Sequence, residues 1–214
     1  MNKVYIYGAG GLGRDVMEIA EENLNLNEYK IMGFIDDNKE NQKNKILGYK
    51  IYSLEEIEKN SLIAIAIGDP LIKNKIKEKL DKGNFKGIKI ISKKAYISRT
   101  AKISNSVIIY PNAIIASNSI IGEDVLVCGN VSIGHDTLIG ENSSISFNSS
   151  IGGFSKIGKG VYIGSGAHVR DEVEIGSGSL IGMGAVVVKN FENKKIVFGN
   201  PAQIKGDKGE KTIF

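Results

Sequence analysis

Cysteine is almost absent from this chain: Cys128 is the single one among 214 residues. No intramolecular disulfide can form, which fits a reducing compartment, so the sequence predicts a cytoplasmic protein. Long apolar runs are missing too. None approaches the roughly 20 residues of a membrane span, and residues 1–7 lack the charged-then-apolar layout of a signal peptide. No membrane partner is expected. Basic blocks are also lacking. Net charge is +4, but the lysines and arginines are dispersed, as on a solvated surface, so no nucleic-acid partner is expected. Histidine is scarce, with only His135 and His168. What remains is an apolar share of 42%, ample for a core, in a length that suits one large domain or two small ones.

The dominant pattern has a period of six. From Ile91 to Val187 an aliphatic residue returns at every sixth position, giving seventeen hexads without an insertion. Four residues after each aliphatic but the last stands a small or β-branched residue, such as Ala113, Val131, Thr137 or Ser143. The second position is often glycine, as at Gly122, Gly134, Gly140 and Gly152. A period of six fits neither a helix nor a plain strand. It fits a parallel β-helix of short strands, three hexads to an 18-residue coil, with coils about 4.8 Å apart. The aliphatic and the small residue point inward, and the second-position glycine is expected to supply the positive φ at each corner.

Residues 1–90 alternate between strand and helix. Strands are expected over Val4–Tyr7, Ile31–Ile35, Leu62–Ile67 and Gly87–Ile91, the last feeding the first coil. Helices are expected over Arg14–Asn23, Leu54–Lys59 and Pro70–Lys82. This is a small parallel α/β domain. It contains GAGGLG, with Gly8, Gly10, Gly11 and Gly13, straight after the first strand. That glycine pattern belongs to dinucleotide folds, but a dinucleotide needs two mononucleotide halves, and the β-helix leaves room for one. The loop is therefore expected to cradle one nucleotide, with phosphate at the helix N-terminus and Asp36 and Asp37 near the ribose or base. The alternative is a tight strand-to-helix turn without a ligand. Neither NAD nor a metal is expected. The chain divides into an α/β domain at 1–90, a β-helix at 91–192 and a C-terminal cap and tail at 193–214.

The order YGAGGLGR, FIDDN, AIAIGD, GHDTLIGE and FGNPA resembles the sialic acid O-acetyltransferase and bacillosamine-pathway sugar N-acetyltransferase family. These are hexapeptide-repeat acyltransferases. The resemblance implies an α/β half-Rossmann-like domain followed by an all-β left-handed parallel β-helix. It implies a homotrimer, acetyl-CoA in the groove between adjacent β-helices, and a nucleotide sugar held by the N-terminal domain. The implied reaction is N-acetylation of a UDP-linked 4-amino-4,6-dideoxy sugar. O-acetylation of a sialic-acid-like sugar, or a non-catalytic trimeric nucleotide-sugar-binding scaffold, are the alternatives.

Acetyl transfer needs a base, oxyanion donors and an acid for the leaving thiolate. His135 lies outside the aliphatic core positions, and the resemblance makes it the base, with Asp136 orienting it or steering the acceptor. One 18-residue coil further along is Gly153, whose backbone N–H the family uses to hold the acetyl carbonyl. Ser144 stands where the family's bacillosamine enzyme has a second histidine near the acetyl group, and Leu12 replaces a histidine of that enzyme's glycine loop. Gly199, Asn200, Pro201 and Ala202 match a segment beside the adenine end of CoA, and can equally seal the coil end. His168 reads as a surface or interface residue. Cys128 has no visible activating partner, so covalent catalysis through it is not expected.

Overall fold

The computed structural model describes residues 1–209 and 212–213. The N-terminal part runs β1 (Asn2–Tyr7), α1 (Gly11–Asn23), β2 (Tyr29–Ile35), β3 (Lys45–Ile46), β4 (Tyr49–Tyr52), β5 (Leu62–Ile65), α2 (Pro70–Lys82) and β6 (Lys86–Gly87). The sheet order is β3-β4-β2-β1-β5-β6, parallel except for the β3–β4 hairpin. Successive strand residues face opposite ways, so β1 sends Val4 and Ile6 to one side and Tyr5 and Tyr7 to the other. Both sides are buried, as a parallel sheet requires. Val4 and Ile6 pack with Val16, Met17 and Ala20 of α1 in a core continuous with the β-helix. Tyr5 and Tyr7 pack with Ile76 and Leu80 of α2.

Several boundaries differ from the sequence expectation. Helix α1 starts at Gly11, and its first backbone bond runs from the Arg14 N–H to the Gly10 carbonyl. The stretch expected as one strand over Gly87–Ile91 divides, because Lys86–Gly87 closes the first sheet while Ile90–Ile91 opens the first coil. Leu54–Lys59 shrinks to one 3₁₀ turn, Leu54–Glu56, started by a Ser53/Glu56 capping box. The β3–β4 hairpin was not expected. It turns at Leu47-Gly48, both at positive φ (52° and 81°), the geometry a two-residue hairpin favours.

From Ile90–Ile91 to Val186–Val187, two-residue strands recur every six residues on three faces of a left-handed parallel β-helix. Each pairs in parallel with the strand one coil on, as Ile108–Ile109 does with Leu126–Val127. One residue of each pair points inward, so Ile109, Ile115, Ile121 and Ile133 are fully buried. On the first face the outward residues Ile108, Leu126 and Ser144 are buried as well, beneath the N-terminal domain. The second and third faces leave Tyr96, Ile114, Ile120 and Leu138 exposed.

The second-position glycines do not turn the corners. Positive φ falls two residues later, at Asn118 (59°), Asp136 (55°), Asn142 (62°) and Gly160 (60°). Asn and Asp tolerate that region better than other side chains. The second-position glycine answers a different demand, close stacking of coils. A Cβ on Gly134 would lie 2.5 Å from the Gly153 nitrogen, and one on Gly158 2.5 Å from the Ser177 nitrogen.

Strand Lys195–Phe198 pairs in parallel with Leu180–Ile181 on the first face, then turns back antiparallel as Gln203–Asp207. The turn is Gly199–Ala202, with a cis peptide before Pro201. It lies on the last second-face strand: the Val186 N–H donates to the Gly199 carbonyl, and the Ala202 N–H to the Val186 carbonyl.

Candidate functional site

The glycines of GAGGLG answer different demands. Gly8 has φ 110°, and a Cβ there would meet the Ala66 carbonyl oxygen at 2.8 Å. A Cβ on Gly13 would fall 1.9 Å from the Gly8 carbonyl oxygen. Gly8 is fixed by the close approach of the chain after β5, and Gly13 by the packing of α1 on the chain after β1. Gly10 has nothing within 4 Å of a Cβ, and Gly11 only the Arg14 guanidinium at 3.9 Å. The fold does not require them, so they leave backbone open to a ligand. No side chain caps the N-terminus of α1, and its first turn holds no acidic residue. Helix α2 is different: Asp69 accepts from the Leu71 and Ile72 N–H groups. Of the two helix N-termini, α1 is the one left free for a phosphate.

Asp36 is tied to this loop, and Asp37 to the end of β1 and to α2. Asp36 accepts from the Ala9 N–H at 3.1 Å, the Asn38 N–H at 2.8 Å and Asn41 Nδ2 at 3.1 Å. Asp37 accepts from the Tyr7 hydroxyl and from Lys79 Nζ, each at 2.8 Å. Burial works to raise the Asp37 pKa, but the bonds from Lys79 and Tyr7 outweigh it and hold the carboxyl below its usual range. Burial first, and then Asp37, push the Tyr7 phenol well up.

His135 stands at the corner between the second and third faces. Its Nδ1 is 2.9 Å from Asp136 Oδ2. Asp136 Oδ1 accepts from Asn118 Nδ2 at 3.0 Å, and the Asn118 N–H donates to Thr100 Oγ1 at 3.0 Å. The Asn118 bond, then that from His135, lower the Asp136 pKa. Gly153 lies against the imidazole: a Cβ on it would come within 3.0 Å of His135 Nε2 and Cε1. Phe154 packs edge-to-face on His135 at 4.9 Å. The Gly153 N–H is engaged, donating to Asp171 Oδ1 at 2.6 Å. An acyl oxygen would therefore have to displace Asp171 to reach that N–H. His168 is not part of this corner. Its Nδ1 meets Ser150 Oγ at 2.7 Å on the second face.

Ser144 lies elsewhere, on the first face. It lines a pocket of about 280 Å³ with Leu12 and Gly68 of the N-terminal domain and Cys128, Ser146 and Tyr162 of the coils. Burial pushes the Cys128 thiol up to about 12, which leaves it inert. Behind Ser144 is Lys73 of α2, only 1% exposed. Its Nζ donates to Ser144 Oγ at 3.0 Å and to the Ser143 carbonyl at 3.1 Å. Burial pulls the Lys73 pKa down to about 7. The structure thus groups Ser144 with Leu12 and the glycine loop, and His135 with Asp136 and Gly153 at another corner.

Sequence reasoning missed Lys73, Asn118, Phe154 and Asp171. Three were within reach of the repeat: Asn118 is one coil before Asp136, Phe154 one coil after it, and Asp171 one coil after Gly153. Among the described residues no group of three or more His, Cys, Asp or Glu side chains is placed to hold a metal, and no helix is long and apolar enough to cross a membrane.

A half-sized nucleotide-type domain on a β-helix of 18-residue pitch, with a paired histidine at a corner, defines a hexapeptide-type transferase. Residues 3–80 match the PglD N-terminal domain, and residues 118–153 and 154–189 match the bacterial transferase hexapeptide of six repeats. The chain thus joins a PglD-type N-terminal domain to bacterial transferase hexapeptide repeats. No curated protein matches it by sequence. It is similar in structure to a histidine-to-asparagine variant of perosamine N-acetyltransferase from Caulobacter crescentus, in complex with CoA and GDP-perosamine. That likeness has a TM-score of 0.86 at 24% identity over 97% of this chain and 98% of that one. The acetyltransferase domain of PglB from Neisseria gonorrhoeae aligns with a TM-score of 0.86 at 29% identity, over 95% of this chain and 100% of that one. WeeI from Acinetobacter baumannii does so with a TM-score of 0.86 at 26% identity, over the same shares.

Proposed function

We propose that the protein is a nucleotide-sugar N-acetyltransferase that moves the acetyl group of acetyl-CoA onto the 4-amino group of a UDP-linked 4-amino-4,6-dideoxy sugar. The observation that carries this reading is the His135 corner. Asp136 engages Nδ1, and Nε2 faces a residue without a side chain. An imidazole held in this way is a general base with room beside it for two reactants.

The amine nitrogen attacks the thioester carbonyl carbon, forming the C–N bond. His135 Nε2 takes the proton that the nitrogen loses. The carbonyl electrons move to oxygen, and the Gly153 N–H stabilises that charge once Asp171 has released it. The C–S bond then breaks, and the imidazolium protonates the departing CoA thiolate. Free N–H groups at the α1 N-terminus, beside Gly10 and Gly11, bind the acceptor's phosphates, and Asp37 contacts its nucleoside. Gly199–Ala202 borders the CoA nucleotide.

A homotrimer in the cytoplasm is part of the proposal. The glycine loop lies over the first face and His135 at the corner between the second and third, so a neighbouring copy is needed to bring a base to each acceptor. The exposed Tyr96, Ile114, Ile120 and Leu138 supply apolar area for that contact. The test is thiol release from acetyl-CoA across UDP-, GDP- and CMP-linked amino and hydroxy sugars. Release with amino sugars, greatest with UDP, is expected. Turnover of hydroxy sugars alone would assign O-acetylation. Binding without any release would make the protein a scaffold.

A further inference from the structure

We propose that Lys73 and Ser144 form a directed hydrogen-bond donor that reads an oxygen of the acceptor sugar in the pocket between the glycine loop and the first face of the β-helix. This rests on the nucleotide-sugar reading above. It assigns Ser144 to the sugar rather than to acetyl-CoA, and it gives Lys73 the role of positioning residue.

Lys73 is an expensive residue where it stands. Lysine is rarely fully buried unless paired with a carboxylate, and among the described residues no carboxylate oxygen lies within 4.0 Å of its Nζ. The nearby Asp124 pairs loosely with Lys77 instead. The two bonds of Lys73 go to neutral oxygens, the Ser143 carbonyl and Ser144 Oγ. A methionine of similar length would fill the space at lower cost. Stability therefore does not explain the ammonium.

Its effect on Ser144 does. Lys73 Nζ is the donor in both of its bonds, to the Ser143 carbonyl and to Ser144 Oγ, so Ser144 Oγ is the acceptor in theirs. The hydroxyl must then send its own proton elsewhere, and no described residue takes it. Ser144 lines the pocket, so that proton is available to an acceptor oxygen within it. The pocket is also in the right place. Leu12 belongs to the first turn of α1, and Gly68 follows β5. Both stand at the carboxyl edge of the parallel sheet, where open α/β folds bind their ligands. With the pyrophosphate of a nucleotide sugar at the α1 N-terminus, the sugar beyond it has this pocket as its nearest enclosure. Ser144 is then a specificity group, and Lys73 fixes the direction in which it donates.

The experiment is initial-rate kinetics with GDP-perosamine and with a UDP-linked 4-amino-4,6-dideoxy hexose, alongside calorimetric binding of each sugar nucleotide without acetyl-CoA. Ser144→Ala should raise the sugar-nucleotide KM and Kd about five- to tenfold, the scale of one neutral hydrogen bond. The acetyl-CoA KM should stay within about twofold. Ser144→Thr should restore most of the loss. Lys73→Met should weaken sugar binding in the same direction. The double variant should be no worse than the weaker single one, because both residues act through one hydroxyl. The proposal fails if Ser144→Ala leaves sugar binding unchanged, if only the acetyl-CoA KM rises, or if the two losses multiply. Ser144→Ala fills no cavity and breaks no strand pairing, so it keeps the test sound should Lys73→Met fold poorly. Wild-type turnover with an unmoved Ser144→Ala would overturn this inference alone. A wild type that binds neither sugar nucleotide would overturn the functional reading and this inference with it.

Discussion

Replacing Lys73 with methionine should stabilise the protein at neutral pH and remove a pH dependence that the wild type shows. The lysine has a pKa of about 7 when folded and about 10.4 when unfolded. The folded state therefore holds its proton less tightly, and at pH 7 this costs about 4 kcal/mol. Methionine removes that cost but leaves the Ser143 carbonyl and Ser144 hydroxyl without their donor, a loss of about 1–3 kcal/mol. A net gain of about 1–3 kcal/mol remains. The sign of the pH effect follows from linkage. Between the folded and unfolded pKa values the unfolded chain binds more protons, so wild-type stability rises with pH. From pH 7 to 8.5 the rise should be on the order of 1–2 kcal/mol. Above that window Cys128 acts the other way, because its folded pKa is raised. The assay is urea unfolding followed by far-UV circular dichroism at pH 6.5, 7.5 and 8.5, at one protein concentration. Each of the two proteins is measured, and their difference isolates residue 73. Parallel curves, or a less stable methionine variant with unchanged m, would refute the account of Lys73 as a buried and costly cation.

Gly13→Ala should fail to give folded protein, since its Cβ would sit 1.9 Å from the Gly8 carbonyl oxygen. Gly10→Ala should melt normally yet lose nucleotide-sugar affinity, read by differential scanning fluorimetry and calorimetry. His135→Ala should lower kcat by about two to four decades, while His168→Ala stays near wild type; the reverse order in a thiol-release assay would move the base to the second face. Asn118→Ala should lower kcat about three- to tenfold at constant KM, the usual scale for loss of one hydrogen bond. Asn118→Asp, which adds a negative charge beside Asp136, should shift the acidic limb of kcat/KM to higher pH; coincident pH profiles would show that Asn118 serves only the coil.

The β-helix was legible because its repeat is unbroken. With a fixed 18-residue pitch, the place of Gly153 against His135 follows from counting. The pitch did not say which residue of each hexad carries the positive φ. Gly134 is glycine because the next coil is too close for a Cβ, and that distance exists only once coils are stacked. The β3–β4 hairpin escaped because strands of two and four residues carry almost no periodic signal, although Gly48 marks its turn. Lys73 reads as surface by residue type. Its spacing says otherwise, since Lys73, Ile76 and Leu80 recur at i, i+3 and i+7, the buried stripe of a helix. The engagement of Gly153 by Asp171 was one more coil along the same column.

A stack of coils in which each strand pairs above and below has no natural length. An unpaired last coil offers two-residue ladders to any similar edge, and identical chains meeting end to end could polymerise into a fibre. The hairpin of Lys195–Phe198 and Gln203–Asp207 interrupts this. It adds one more parallel rung on the first face and then reverses direction, while Gly199–Ala202 takes up backbone groups of Val186 on the second. The segment that borders the proposed CoA groove is thus also the end stop that keeps a repetitive rod finite.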